Sequence, residues 1–162
     1  MKRNYDNLKE EAIALGACAK GIDSWGEPNL TDLCEKFFKF QDFCIEHDWP
    51  TVEQLAAFDK RTLRRNGIYV NGKCKCNGLA HVVVTGDAEV EVHVTRPCDI
   101  TLRHKGIANV YIDTDVLCTV SMYDNSRLNV IAKHQKGRVA ISHWGGVIQS
   151  NQLIDKIYAK TK

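Results

Sequence analysis

The chain has 162 residues, of which 44% are hydrophobic and 26% are charged, and its formal net charge is +2. These proportions are typical of one compact globular protein or of a small domain with an appendage. A net charge this small gives no reason to expect nucleic acid or an anionic membrane as a partner.

Targeting signals and cysteine usage point to a reducing compartment. No apolar stretch approaches the length of about 18 residues that a membrane-spanning helix needs. The first eleven residues are polar, carry acidic side chains and contain no apolar run, unlike a secretory signal. Seven cysteines, an odd number scattered along the chain, favour reduced and mostly buried thiols over a disulfide framework.

Residues 1–67 are predicted to form a small helical domain or cap. Apolar residues at three- and four-residue steps predict a first short helix that ends at Gly21 and a second helix over 30–47. Thr51 and Gln54 have the spacing of a capping box, which predicts a third helix extending to the end of this domain.

Four basic residues lie at the end of the third predicted helix, namely Lys60, Arg61, Arg64 and Arg65. Cations are favourable near the C-terminus of a helix, so one interpretation is that they complement the helix dipole and are simply solvated. The alternative is a surface that contacts phosphate or an acidic partner.

Residues 68–79 are predicted to form a connecting hairpin, because a strand-like segment over 68–70 precedes Asn71-Gly72, a sequence typical of tight turns. Near Gly78 the apolar spacing changes from that of a helix to that of a strand.

Residues 80–146 repeat their apolar positions about every ten residues. The strand centres are Ala80, Val90, Ile100, Val110, Val120, Val130 and Val139. Two residues later come Val82, Val92, Leu102, Ile112, Met122, Ala132 and Ile141. This alternation predicts strands with one buried face, separated by turns.

Strands at this spacing fit either an antiparallel meander that closes into a sandwich or barrel, or a β-solenoid with about twenty residues per coil. At a spacing of twenty, Ala88 falls on Ala108 and Cys98 falls on Cys118, which favours the solenoid. The predicted fold class is therefore α+β, with a short-helix domain followed by a β-solenoid. The antiparallel form stays the alternative.

The same spacing predicts columns of outward side chains. Arg103 would lie over Tyr123. A column of complementary charge would consist of His93, Asp113 and Lys133. A partly apolar column, which is a candidate contact surface, would consist of Glu91, Tyr111 and Ile131.

The end of the repeat also suggests packing roles. Trp144 is interpreted as a packing plug, with sugar stacking as the alternative. Residues 147–162 are apolar enough to cap the last coil or to bind another subunit.

Two groups of residues could carry chemistry. Cys74, Cys76 and His81 are the nearest approach to a metal site, but zinc sites need four ligands and favour a wider cysteine spacing, so structural thiols are the favoured interpretation. Whether these residues bind a metal stays open, and no cofactor is predicted.

The second group consists of Asp113, Asp115 and Asp124, near strand ends. Carboxylates of polysaccharide-cleaving β-helices would need a cleft, which short turns do not build, so these residues are interpreted as turn aspartates. No catalytic residue is predicted.

Two stretches carry a resemblance to known proteins. They are residues 43–51, which lead through a helix to 66–70, and residues 120–130 inside the repeat. The arrangement resembles small helical-cap and β-repeat proteins carried by phages and prophages of gut anaerobes. The resemblance implies a phage or mobile-element product that acts in the bacterial cytoplasm or in a virion.

The favoured hypothesis is a non-enzymatic structural, assembly or accessory protein of a phage or mobile element. It would use a rigid β-solenoid as a scaffold, form a homo-oligomer and contact other proteins. One alternative is a host-protein-binding module or inhibitor whose partner binds the helices. Another is a carbohydrate-binding or polysaccharide-active β-helix protein.

Overall fold

The computed structural model describes residues 2–27, 29–132, 137–151 and 156–159. The chain divides into two compact units, Met1–Asn66 and Gly67–Lys162. The division falls within one residue of the predicted end of the helical domain. Within the described ranges, the first unit is helical and the second consists of strands.

The first unit contains six short helices in its described part, whereas the sequence predicts three. They are α1 Lys2–Ala14, α2 Ala19–Asp23, α3 Leu30–Lys39, α4 Gln41–Glu46, α5 Val52–Ala56 and α6 Lys60–Arg65. The predicted stop at Gly21 is wrong, because Gly21 is buried inside α2. The preceding helix instead ends near Gly16, whose φ of 86° lies in the left-handed region that terminates helices.

The other two predicted helices are also interrupted. Phe40, with φ −118° and ψ 35°, separates α3 from α4. Asp59 begins α6 as a new helix, because its carboxylate accepts a hydrogen bond from the Thr62 amide at 2.8 Å. The long apolar stripes are therefore divided among several short helices.

In the helical unit, hydrogen bonds connect α1 to the residues around the start of α5. The predicted capping box of Thr51 and Gln54 is confirmed. The Gln54 side-chain amide also donates to Glu11 at 2.5 Å, and the Trp49 indole donates to the same carboxylate at 3.3 Å. Trp49 packs edge-on against Phe43, with ring centroids 5.8 Å apart. A buried indole with its N–H satisfied is the arrangement that aromatic packing favours.

The second unit contains nine strands in its described part. They are β1 Ile68–Asn77, β2 His81–Val94, β3 Cys98–Leu102, β4 Ile107–Ile112, β5 Leu117–Met122, β6 Arg127–Ile131, β7 Arg138–His143, β8 Val147–Ser150 and β9 Lys156–Ala159. Each strand pairing among them is parallel. The solenoid prediction is therefore confirmed, and the antiparallel alternative is wrong.

Each coil contributes to two sheets. The first half of β2 pairs with β3, followed by β5, β7 and β9, and we call this sheet A. The second half of β2 pairs with β4, followed by β6 and β8, and we call this sheet B. β1 lies along both halves of β2. The inward side chains of both sheets form one hydrophobic core.

The predicted interior positions are confirmed. Of the fourteen residues at the two repeated positions, Ala80 alone is not buried. Ala88, Cys98, Ala108, Cys118 and Leu128 are buried as well. Five of the seven cysteines are buried, as predicted. Burying one aliphatic side chain stabilises a fold by about 1.5–3 kcal/mol, so this column of side chains is the main source of stability in the unit.

The predicted offset of twenty is confirmed for β3 with β5, β4 with β6 and β6 with β8. It is wrong for both pairings of β2, which have an offset of eighteen. Cys98 pairs with Cys118, as predicted. Ala88 does not fall on Ala108, because Val90 pairs with Ala108 at an offset of eighteen. The difference arises where the chain turns from sheet B into sheet A. The turn before β3 is two residues shorter than the corresponding turn before β5.

The predicted hairpin at Asn71-Gly72 is wrong. Both residues have positive φ, 55° and 83°, as a tight turn would require. They instead form a corner in β1, where the register with β2 shifts between Val70 and Gly72. The strand therefore turns from sheet A into sheet B and does not fold back on itself.

The C-terminal segment extends the solenoid. β8 pairs with β6, and β9 pairs with β7. β8 thus adds a strand to sheet B, and β9 adds one to sheet A. The remainder of the predicted capping segment, 152–155 and 160–162, lies outside the described residues.

Candidate interaction surfaces

The outward side chains of sheet B form three columns, which we call the sheet-B face. The middle column is Lys75, Glu91, Asn109, Asn129 and Gln149. One flanking column is Lys73, Glu89, Ile107, Arg127 and Val147. The other is Asn77, His93, Tyr111 and Ile131.

The predicted stripe is therefore partly wrong. Tyr111 and Ile131 are neighbours in one column, but Glu91 belongs to the adjacent column and pairs with Asn109. The cause is the offset of eighteen between β2 and β4, which places His93 over Tyr111. The two rings stack, with centroids 4.9 Å apart and planes 9° apart.

The predicted charge ladder is wrong for the same reason. His93 stacks on Tyr111 and is not aligned with Asp113. Lys133, the third predicted member, lies outside the described residues. Arg103, by contrast, follows the predicted spacing, since the Tyr123 amide donates to the Leu102 carbonyl and continues the offset of twenty. Its predicted exposure is wrong, because Arg103 is only 4% exposed.

We call the rows from β1 and β2 the upper rows of the sheet-B face, and the rows from β4, β6 and β8 its lower rows. Side-chain contacts between coils order the upper rows. Lys73 lies 2.9 Å from Glu89, and Lys75 lies 2.8 Å from Glu91. The hydrogen bond between Lys75 and Glu91, together with their opposite charges, raises the pKa of the lysine and lowers the pKa of the glutamate. Both side chains of each pair are substantially exposed, so the ion pairs fix geometry and add little stability.

The lower rows are mostly uncharged. The Asn129 side-chain amide donates to the Asn109 oxygen at 2.7 Å, which forms an amide ladder in the middle column. Ile107, Tyr111 and Ile131 are half-buried, and Val147 is 53% exposed. The lower rows thus present apolar side chains on both sides of paired amides, with Arg127 as their charged member.

Trp144 is not a plug of the interior. It is half-buried, and its ring stacks on that of Tyr123 with centroids 4.8 Å apart and planes 1° apart. The Trp144 amide donates to the Met122 carbonyl, which continues the ladder of sheet A into the corner. The two stacked rings thus connect the outer surfaces of two successive coils.

The basic cluster occupies one face of α6. At about 3.6 residues per turn, Lys60, Arg61, Arg64 and Arg65 lie within an arc of about 140°. All four are exposed, whereas Leu63 on the opposite side is 2% exposed. The cluster is therefore a continuous cationic surface.

The structure changes the interpretation of this cluster. The sequence places all four residues at the end of a long helix, but α6 begins at Lys60. Lys60 and Arg61 therefore lie in its first turn, where positive charge is unfavourable to the helix dipole. The pairs Lys60 with Arg64 and Arg61 with Arg65 are also like-charged neighbours four residues apart, each destabilising by about 0.2–0.5 kcal/mol. Dipole complementarity explains only the last two residues.

The cysteines proposed as metal ligands face the solenoid core. Cys76 is 2% exposed, and Cys74 packs against the same core. Burial raises the pKa of the Cys76 thiol, which disfavours the thiolate that a metal would need. His81 lies on the outside of sheet A, with Nδ1 3.5 Å from Asp99. Within the described ranges, no three His, Cys, Asp or Glu side chains form a group that could hold a metal ion.

The aspartates near strand ends have local partners. Asp124 accepts a hydrogen bond from the His104 amide at 2.8 Å, and Asp115 lies 3.8 Å from Arg138. His104 in turn contacts the Thr85 hydroxyl through Nδ1 at 2.8 Å. Sequence reasoning missed this corner, because it depends on which turns are stacked. Thr85 is 2% exposed, so the imidazole holds a buried hydroxyl in place.

We expect Asp124→Ala to lower the free energy of unfolding by about 1–2 kcal/mol, since it removes a hydrogen bond and places alanine at a left-handed position. Asp124 has φ 57°. Asp124→Asn keeps an acceptor and tolerates this backbone, so it should retain most of the stability. Urea denaturation compares the two variants. An equal loss in both would show that the carboxylate charge, and not the hydrogen bond, is what matters.

Comparisons with known proteins add no assignment: no family model, no curated protein and no solved structure matches the chain. None of the helices in the described part of the chain has the length and apolarity needed to cross a bilayer.

Proposed function

We propose that this protein is a non-enzymatic structural or accessory protein of a phage or mobile element, whose solenoid is a scaffold that self-associates through the sheet-B face. The proposal is supported by the contacts that hold the outward side chains of that face in fixed positions. Stacked rings, paired amides and ion pairs link its coils, so the side chains are positioned before a partner arrives. Preorganised surfaces lose less conformational entropy on binding.

A second copy of the chain fits the lower rows of the face. Two-fold interfaces bring identical patches together, so a patch with little net charge can pair with itself without repulsion. Tyr111, Ile131, Ile107 and Val147 supply apolar area, and the amides of the middle column can bond across the interface. The phage or mobile-element context rests on the sequence resemblance.

Light scattering of the purified chain at high concentration tests the proposal. We expect the wild type to be an oligomer and Tyr111→Glu/Ile131→Glu to be a monomer, because buried carboxylates would oppose each other across the interface. Leu117→Glu is the control, since Leu117 is an exposed apolar residue, 42% accessible, outside the sheet-B face. A wild type that stays strictly monomeric would contradict the proposal.

A host-protein-binding module is the second candidate. The observation that favours it is the exposed basic cluster of α6, which belongs to the helical unit and not to the solenoid.

A further inference from the structure

Part of the basic cluster of α6 is unfavourable to the stability of its own helix. Two of its cations lie in the first turn, and its members form two like-charged pairs on one face. The N-cap carboxylate of Asp59 attracts Arg61 and offsets part of this repulsion. Within the described part of the chain, Lys60, Arg64 and Arg65 make no ion pair that would offset this repulsion. A bound anion on this face would relieve both effects.

We infer that the basic cluster binds an acidic segment of a partner polypeptide. Arginine supplies three of the four cations, and its planar guanidinium pairs with a carboxylate through two parallel hydrogen bonds. The helix is about 9 Å long at about 1.5 Å per residue. An extended segment of about three residues spans that length at about 3.3 Å per residue, so a short run of Asp and Glu matches the cluster in size.

The charge balance of the helical unit favours a polypeptide over a nucleic acid. Residues 1–67 carry ten Lys and Arg and twelve Asp and Glu. Outside the cluster, residues 1–67 therefore contain six basic and twelve acidic residues. A nucleic acid carries phosphates along its whole length, so the net negative charge of the rest of the unit would disfavour it, whereas a short segment confined to the cluster would be less affected.

The inference goes beyond the proposed scaffold function and deepens the second candidate, a host-protein-binding module, on which it rests. The cluster and the sheet-B face share no residue. Variants of one leave the other intact, so the two ideas can fail separately.

Fluorescence anisotropy with a labelled peptide of glutamates tests the inference on the full chain. We expect saturable binding that weakens as salt is added, since exposed charges are screened. Arg64→Glu/Arg65→Glu should weaken binding at least about tenfold. The matched control is Lys20→Glu/Lys105→Glu, which changes the net charge equally at exposed positions outside the cluster and should keep nearly wild-type affinity.

Four outcomes would overturn the inference: no binding of the peptide; an equal loss in the control variant; tighter binding of a DNA duplex than of the peptide; or oligomers that dissociate in Arg64→Glu/Arg65→Glu, which would make a second copy the partner.

A second measurement tests the premise without a ligand. Lys60→Gln/Arg61→Gln should raise the thermal midpoint at low salt by about a degree or more while weakening peptide binding. A lower midpoint would show that these cations stabilise the fold, and it would overturn the argument from repulsion.

Discussion

Leu128→Ala is expected to lower the free energy of unfolding of the solenoid unit by about 2–5 kcal/mol. Leu128 is fully buried, and in sheet B it lies between Ala108 and Ile148 of the neighbouring coils. Ala108 is too small to fill the space that the leucine would leave. The substitution therefore removes apolar contacts and leaves a cavity between coils.

Leu117→Ala is the matched control, since it makes the same chemical change on a strand of the same unit. Leu117 is 42% exposed, so most of its surface is already in contact with water and the expected loss is below about 1 kcal/mol. Urea denaturation followed by circular dichroism compares the two variants. Similar losses at both positions would mean that Leu128 does not pack inside the coil.

The interior of the solenoid could be predicted from the sequence because period-2 alternation and a ten-residue repeat both follow from coil geometry. The positions of Val110, Val120 and Val130 recur whatever partner each strand finds. All three are buried as predicted. The alternation of inward and outward side chains is set within each strand, so it can be predicted without knowing the register between strands.

The register could not be predicted in the same way. Side chains alternate with a period of two, so an offset of eighteen gives the same inward residues as an offset of twenty. The corner between Val94 and Cys98 is two residues shorter than the corner between Ile112 and Cys118. That difference leaves the apolar pattern unchanged, yet it moves Glu91 away from Tyr111 and places His93 there.

A surface cluster could be predicted from the sequence only where its residues lie on one helix, or where the strands that carry them keep the offset of twenty residues. The four cations of α6 lie within six residues of sequence, so their clustering could be predicted. The helix break at Asp59, which places Lys60 and Arg61 in a first turn, could not. Asn109 and Asn129 stand twenty residues apart at outward positions, a repeat that could have indicated their ladder.

Four glycine-to-alanine substitutions separate the two reasons why the chain uses glycine. Gly26 has open space around it and an ordinary φ, so alanine should be neutral or stabilising by about 0.4–1 kcal/mol. Gly72 has open space but a φ of 83°, so alanine should cost about 1–2 kcal/mol from backbone strain alone. Gly106 has no such φ, but a Cβ there would lie 2.6 Å from the Val84 carbonyl oxygen. Overpacking of this kind costs about 1–3 kcal/mol.

Gly146→Ala combines both effects and should be the most damaging member of the series. Its φ is 90°, and a Cβ there would clash with the Ser126 carbonyl and lie 2.9 Å from the Ser126 hydroxyl. Since the clash is mainly with backbone of the previous coil, a side-chain rotation cannot relieve it. We expect a loss of about 2–5 kcal/mol in denaturant unfolding. A loss no greater than that of Gly72→Ala would show that the coils can separate at this corner at little cost, and the scaffold would then be less rigid than its core implies.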